Sequence, residues 1–256
     1  MKDLEHSLLQ KAVRRGHIDT VEKVVNYLLC QGYLNWLRKR LPVMILEECW
    51  TMDNQLTSGN LLDQYINLAL TVKNKDAAGL ASLAVNYHEG DWKALRGNLE
   101  QRKAIASLKK TSTVDKAMIY AAEYFIEQKI VPRTAQTQPQ NNPNFPYWIA
   151  FDKHTEIGRI IISDACNRIN IDTYLGLILA FYLEGSLCNQ MTISPYWQLA
   201  REYQINKLKI TFTQAQIIWE KLKAIIIELT KEKADELKER IEKPKISHNG
   251  NQLVLI

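Results

Sequence analysis

Leu4, Leu8, Leu9, Ala12 and Val13 recur at three- and four-residue spacing, and Gly16 follows where a helix C-cap belongs. A second helix is expected from Asp19, which has capping-box spacing with Glu22, through Val21, Val24, Val25, Leu28 and Leu29 to Gly32. The pair reads as a helical hairpin. Leu34, Leu37, Leu41, Ile45 and Cys49 carry the same period onward, with Pro42 expected to kink or split the helix because it has no amide hydrogen. Further amphipathic helices are expected near 56–73, 76–88, 91–109 and 115–129, with Asp76, Asp91 and Asp115 at their N-caps. Short connections make such helices antiparallel neighbours.

The pattern breaks at VPRTAQTQPQNNPNFPY, whose four prolines and polar tract can neither continue a helix nor bury much surface. Beyond it, helices are expected near 152–170 and 173–185. Another starts at Ser194-Pro195, which puts proline at the first helical position. The last, over about 213–242, is apolar through Ile217, Leu222, Ile225, Ile226 and Leu229 and then turns into a solvated stretch of acid-base pairs. The chain therefore reads as all-α, a multi-helix bundle with room for one small C-terminal β-hairpin. Its expected parts are a helical domain over 1–130, a Pro/Gln/Asn-rich linker over 131–147, a second helical lobe over 148–244 ending in a long charged helix, and a tail or hairpin over 245–256.

Composition narrows the class. Apolar residues make up 46% of the 256 positions and charged residues 24%, which is globular usage and excludes a chain disordered throughout. Cys30, Cys49, Cys166 and Cys188 are far apart and lack the paired spacing of a zinc or thioredoxin-like site. The N-terminal segment has no apolar run of the kind that signals secretion, so a cytoplasmic location is expected. Tyr174 to Leu183, bracketed by Asp172 and Glu184, is about half the length a bilayer span needs, and is expected to be a buried helix rather than a membrane segment.

Thirty-three basic residues against 28 acidic ones give a net charge of +5, so distribution matters more than the sum. Lys11, Arg14 and Arg15 form one basic cluster, Arg38, Lys39 and Arg40 a second, and Lys109 and Lys110 a third, all within expected helices. These are either solvated helix faces or contacts for a polyanion such as DNA, where arginine forks match phosphate geometry.

No glycine-rich phosphate loop ending in Gly-Lys-Ser/Thr occurs, so no nucleotide cofactor is expected; a nucleophile elbow and zinc-helix motifs are also missing. The nearest approach to a reactive constellation is FDKHTEIGR, where Asp152, His154 and Glu156 crowd a helix start. Asp152 and Thr155 are natural capping residues, and the bland reading is that they cap. The sharper reading gathers Asp152, His154 and Glu156 around a metal, with Glu47 or Glu48 joining if the two halves meet. At the C-terminus, Gln252, Leu253, Val254, Leu255 and Ile256 resemble the glutamine-leucine-x-leucine-aromatic peptides that dock bacterial replication proteins into the sliding clamp, with isoleucine in place of the aromatic. Asn249-Gly250 equally favours a hairpin turn that would make this segment a strand.

The run SLLQKAVRRGHIDTVEKVVNYLLCQGYLNWLRKRLPVMILEECW resembles the helical C-terminal region of the replication-associated recombination protein A family, clamp-loader-like AAA+ ATPases. The resemblance rests on Lys11, Val13, Arg14, Arg15 and Gly16, then on Arg38, Arg40, Leu41, Ile45, Glu47 and Glu48. The later pieces AFDKHTEIGR and FYLEGS are also similar to stand-alone or phage-like relatives. It implies that 1–130 is a collar that holds ATPase subunits together, commonly as tetramers, in the rescue of stalled replication forks. The chain departs from the family in lacking the ATPase core, so a fold transfers more safely than an activity.

Two readings follow. The first is a non-enzymatic interaction and oligomerisation module of DNA replication, recombination or repair. Lys11, Arg14, Arg15, Arg38, Lys39 and Arg40 would touch DNA, Gln252, Leu253, Leu255 and Ile256 a sliding clamp, and a separate AAA+ ATPase would complete it. The alternative is a metal-dependent enzyme using Asp152, His154 and Glu156, or a homo-oligomeric scaffold that binds no DNA.

Overall fold

A computed structural model describes residues 4–48, 59–71, 75–87, 99–108, 111, 113–130, 150–185, 194–233 and 235, and among them the chain is helical with no strand. Helices α1 (Leu4–Arg15) and α2 (Ile18–Cys30) form the expected hairpin. Gly16 takes φ 67°, the left-handed region open to glycine, which lets the Gly16 amide donate to Val13 O at 3.0 Å and the His17 amide to Ala12 O at 2.9 Å. This tight closure starts α2 before Asp19, so the expected Asp19–Glu22 capping box does not form. His17 is the N-cap, and its Nδ1 lies 2.7 Å from the Thr20 hydroxyl.

Helix α3 (Leu34–Glu48) runs through Pro42 without splitting. Pro42 is exposed, so the carbonyl left without a donor is on the side that water reaches. Helix α4 (Leu61–Leu70) opens on a capping box between Asn60 and Asp63. Leu8, Val13, Val24, Leu28, Leu41 and Leu68 from these four helices share one core, in which the buried Tyr65 hydroxyl donates to Leu37 O at 2.9 Å.

The opposite edge of α3, through Val43 and Leu46, packs on a second core built from α5 (Asp76–Asn86), α6 (Leu99–Ser107), α7 (Val114–Glu127) and α10 (Pro195–Lys207). A third core joins α8 (Glu156–Arg168), α9 (Thr173–Leu179), the π-helical segment Ala180–Gly185 that continues α9, and α11 (Phe212–Leu229). Helix α10 belongs to the sequence after the proline-rich tract, yet it packs chiefly against α5. A β-carbon on Gly79 of α5 would run into the backbone of Tyr196 and Trp197, so only glycine allows this approach. The two halves of the sequence therefore interlock. The expected linker at 131–147 and the tail at 245–256 lie outside the described residues.

Side-chain caps set most of the remaining boundaries. Ser194, Thr211, Asp172 and Thr155 each accept from the backbone amide three residues on, and Ser194-Pro195 starts α10 as expected. Thr113 caps α7 in place of Asp115, Lys75 occupies the N-cap position of α5 in place of Asp76, and Asp91 lies outside the described residues. Among the described residues, no helix is long and apolar enough to cross a membrane.

Candidate functional site

The basic cluster of α1 turns inward. Arg15 lies seven residues after Leu8, which returns it nearly to the core face of the helix. Its Nη2 donates to Glu184 Oε1 at 2.9 Å, and Lys223 Nζ of α11 reaches Glu184 Oε2 at 3.0 Å. Burial alone would push the Glu184 carboxyl up, but Arg15 and Lys223 outweigh it and hold the group below the ordinary glutamate value. Arg14 Nε donates to Glu48 Oε1 at 2.7 Å and its Nη2 to Glu47 Oε1 at 3.0 Å. Glu48 also faces Lys75 Nζ at 3.9 Å, a fully buried ammonium that lies 5.1 Å from the centre of the Trp197 ring. Two sets of ion pairs thus leave α1, one from Arg14 to α3 and the entry to α5, the other from Arg15 to the π-helical segment and α11.

Of the second basic cluster, Arg40 points back toward the Arg14 set, with Nη2 at 3.8 Å from Glu47 and Nη1 at 3.6 Å from Asp115. Arg38 and Lys39 are exposed. The six basic residues therefore do not form one outward face. Lys11 is buried, Arg14 and Arg15 are half-buried against carboxylates, and of the six only Arg38 and Lys39 are exposed to a large partner.

Beside the Arg14 set is a cavity of about 490 Å³. Its floor is one face of α1, where Lys11 follows Ser7 and Arg14 follows Gln10 at four-residue spacing. Arg40 and Glu47 of α3 and Asp115 of α7 form one wall; Phe151, Asp152, His154 and Thr155 form another, and Phe181 of the π-helical segment completes it. Lys11 is 5% exposed, and burial, the largest influence on it, pulls its ammonium down from 10.5 to about 8 against the attraction of Asp152.

The candidate metal centre does not assemble. Asp152 Oδ1 accepts from the His154 amide at 2.9 Å, a local turn, and the Thr155 side chain accepts from the Gly158 amide at 2.9 Å to cap α8. Glu156 is exposed in the first turn of α8, where its charge suits the helix dipole. Among the described residues, no three His, Cys, Asp or Glu side chains are placed to hold a metal. Glu47 does reach the same cavity as Asp152 and His154, so the two halves meet, but Glu47 and Glu48 spend their oxygens on arginine. Cys166 is buried and Cys30 exposed, both as free thiols, while Cys49, Cys188 and the segment Gln252–Ile256 lie outside the described residues.

Glu184, Lys75 and Lys223 are partners that the sequence reading did not single out. Arg15 on the core face of α1 was the available signal, since a buried guanidinium requires a carboxylate from somewhere. Lys11 and Arg14 of QKAVRRG, Glu47 at the end of LRKRLPVMILEE, Asp152 and His154 of FDKHTEIGR and Phe181 of FYLEG all line this one cavity. In comparisons with known proteins the chain matches no family model, no curated protein and no solved structure.

Proposed function

We propose that the chain is a non-enzymatic helical interaction module of DNA replication, recombination or repair, collar-like in its first 130 residues, that binds DNA, replication proteins or both. The observation that supports this reading is the contact of Arg14 with the acidic pair Glu47–Glu48, all within the first fifty residues. The arginine phrase and the acidic pair on which the resemblance rests are 33 and 34 positions apart, yet Arg14 binds both carboxylates. That is what a shared fold would produce. A cytoplasmic location, docking of Gln252–Ile256 into a sliding clamp, self-association and a separate AAA+ partner belong to the same proposal.

The DNA contact is assigned to Arg38 and Lys39, because a phosphate would have to displace a carboxylate to reach Arg14 or Arg15. The test is fluorescence anisotropy with single-stranded and forked DNA over a salt series, comparing the wild type with Arg38→Glu/Lys39→Glu. Affinity that falls steeply with salt, and falls further in the folded variant, supports the reading. No binding at low salt removes DNA from it and leaves a protein scaffold.

A further inference from the structure

Among the charged groups that line the cavity, Arg14 is held by Glu47 and Glu48, Arg40 by Glu47 and Asp115, and Asp152 by the His154 amide. Lys11 is different. It is 5% exposed, lines the cavity, and forms neither an ion pair nor a hydrogen bond with any described residue. Arg14 and Arg15 repel it, and Asp152 and Glu184 attract it only from beyond contact distance. An ammonium buried to this degree with no carboxylate in contact is poorly compensated for its burial. A methionine would fill the same space without that penalty. The arrangement is one in which a ligand supplies the missing partner.

The charge balance limits what that ligand can be. Lys11, Arg14 and Arg40 face Glu47, Asp115 and Asp152, so the charged lining is neutral as it stands, and Lys11 is its one cation with no carboxylate in contact. A second negative charge on the ligand would meet three carboxylates with no cation left for it. Phe181 gives the cavity an apolar patch, Ser7 and Gln10 add polar groups beside Lys11, and about 490 Å³ is the size of a small-molecule site. We propose that this cavity binds a small organic acid, its carboxylate against the Lys11 ammonium and its apolar body along Phe181. The inference does not rest on the DNA reading, and either can fail without the other.

Calorimetric titration of the full chain at neutral pH tests it, using phenylacetate, acetate, phenylacetamide, inorganic phosphate and a short single-stranded oligonucleotide on the wild type, Lys11→Met and Phe181→Ala. Phenylacetate is expected to bind saturably, at least about tenfold more tightly than its neutral amide and than phosphate. Lys11→Met is expected to abolish that binding while its urea midpoint stays level or rises, and Phe181→Ala to weaken phenylacetate more than acetate. The proposal is overturned if no acid binds, if acid and amide bind alike, or if the oligonucleotide alone binds in a Lys11-dependent way. A marked fall in the Lys11→Met midpoint also overturns it, because Lys11 would then be a structural countercharge to Asp152 and Glu184.

Discussion

Arg15 and Glu184 are 169 positions apart in the chain and meet at 2.9 Å, with 12% and 5% of their side chains exposed. Glu184 reaches Arg15 from the π-helical segment, whose wider turn interrupts the regular spacing of α9, and Lys223 of α11 binds its second oxygen. Three distant parts of the sequence thus depend on one carboxylate. Such a pair adds little over a well-packed apolar replacement, but removing one member leaves a charge stranded in the interior.

Glu184→Gln is therefore expected to lower stability at neutral pH by about 2–4 kcal/mol, somewhat below the loss for a fully enclosed pair because Lys223 is 30% exposed. The effect has a defined pH dependence. The folded-state pKa of Glu184 lies below its ordinary value of 4.5, so its contribution is complete above that value and is lost as pH falls below 4.5 toward the folded value. Urea midpoints measured from neutral to acid pH should show the gap between wild type and variant constant at first and narrowing below pH 4.5. A gap that stays constant into the acid range would contradict the pairing.

Gly79→Ala tests the contact that locks the two halves together. The added β-carbon falls on the backbone of α10 at Tyr196 and Trp197, which cannot rotate away as a side chain tip would. Separation of α10 from α5 is expected to cost about 1–3 kcal/mol and to speed hydrogen exchange at the amides of α10. Unchanged exchange there would mean that α10 packs elsewhere.

Much of the fold is legible in the sequence, because helical periodicity reports which face of each segment is buried. The α1–α2 hairpin, its glycine closures and the start of α10 at Pro195 follow from local rules. Periodicity does not say which buried faces choose each other, so the packing of α10 on α5 across the proline-rich tract had no local signal. The same limit affected the site. Runs such as Lys11, Arg14 and Arg15 look alike whether they face water or a carboxylate brought in from far along the chain, and only the tertiary contacts with Glu48 and Glu184 separate the two. Thr155 was readable as the cap of α8 because its partner lies three positions on, whereas Asp152, expected to cap as well, instead accepts from the His154 amide in a turn.

The central claim is that the arginines of α1 hold the protein together from within, and a double-mutant cycle on Arg15 and Glu184 tests it most directly. Arg15→Met, Glu184→Gln and the double variant would be unfolded in urea alongside the wild type. Each single change should cost about 2–4 kcal/mol, and the double variant should lose less than their sum, with a coupling of about 1–3 kcal/mol. Additive losses, or an Arg15→Met variant as stable as wild type, would show that Arg15 does not meet Glu184 and would return it to the surface as a candidate contact for DNA.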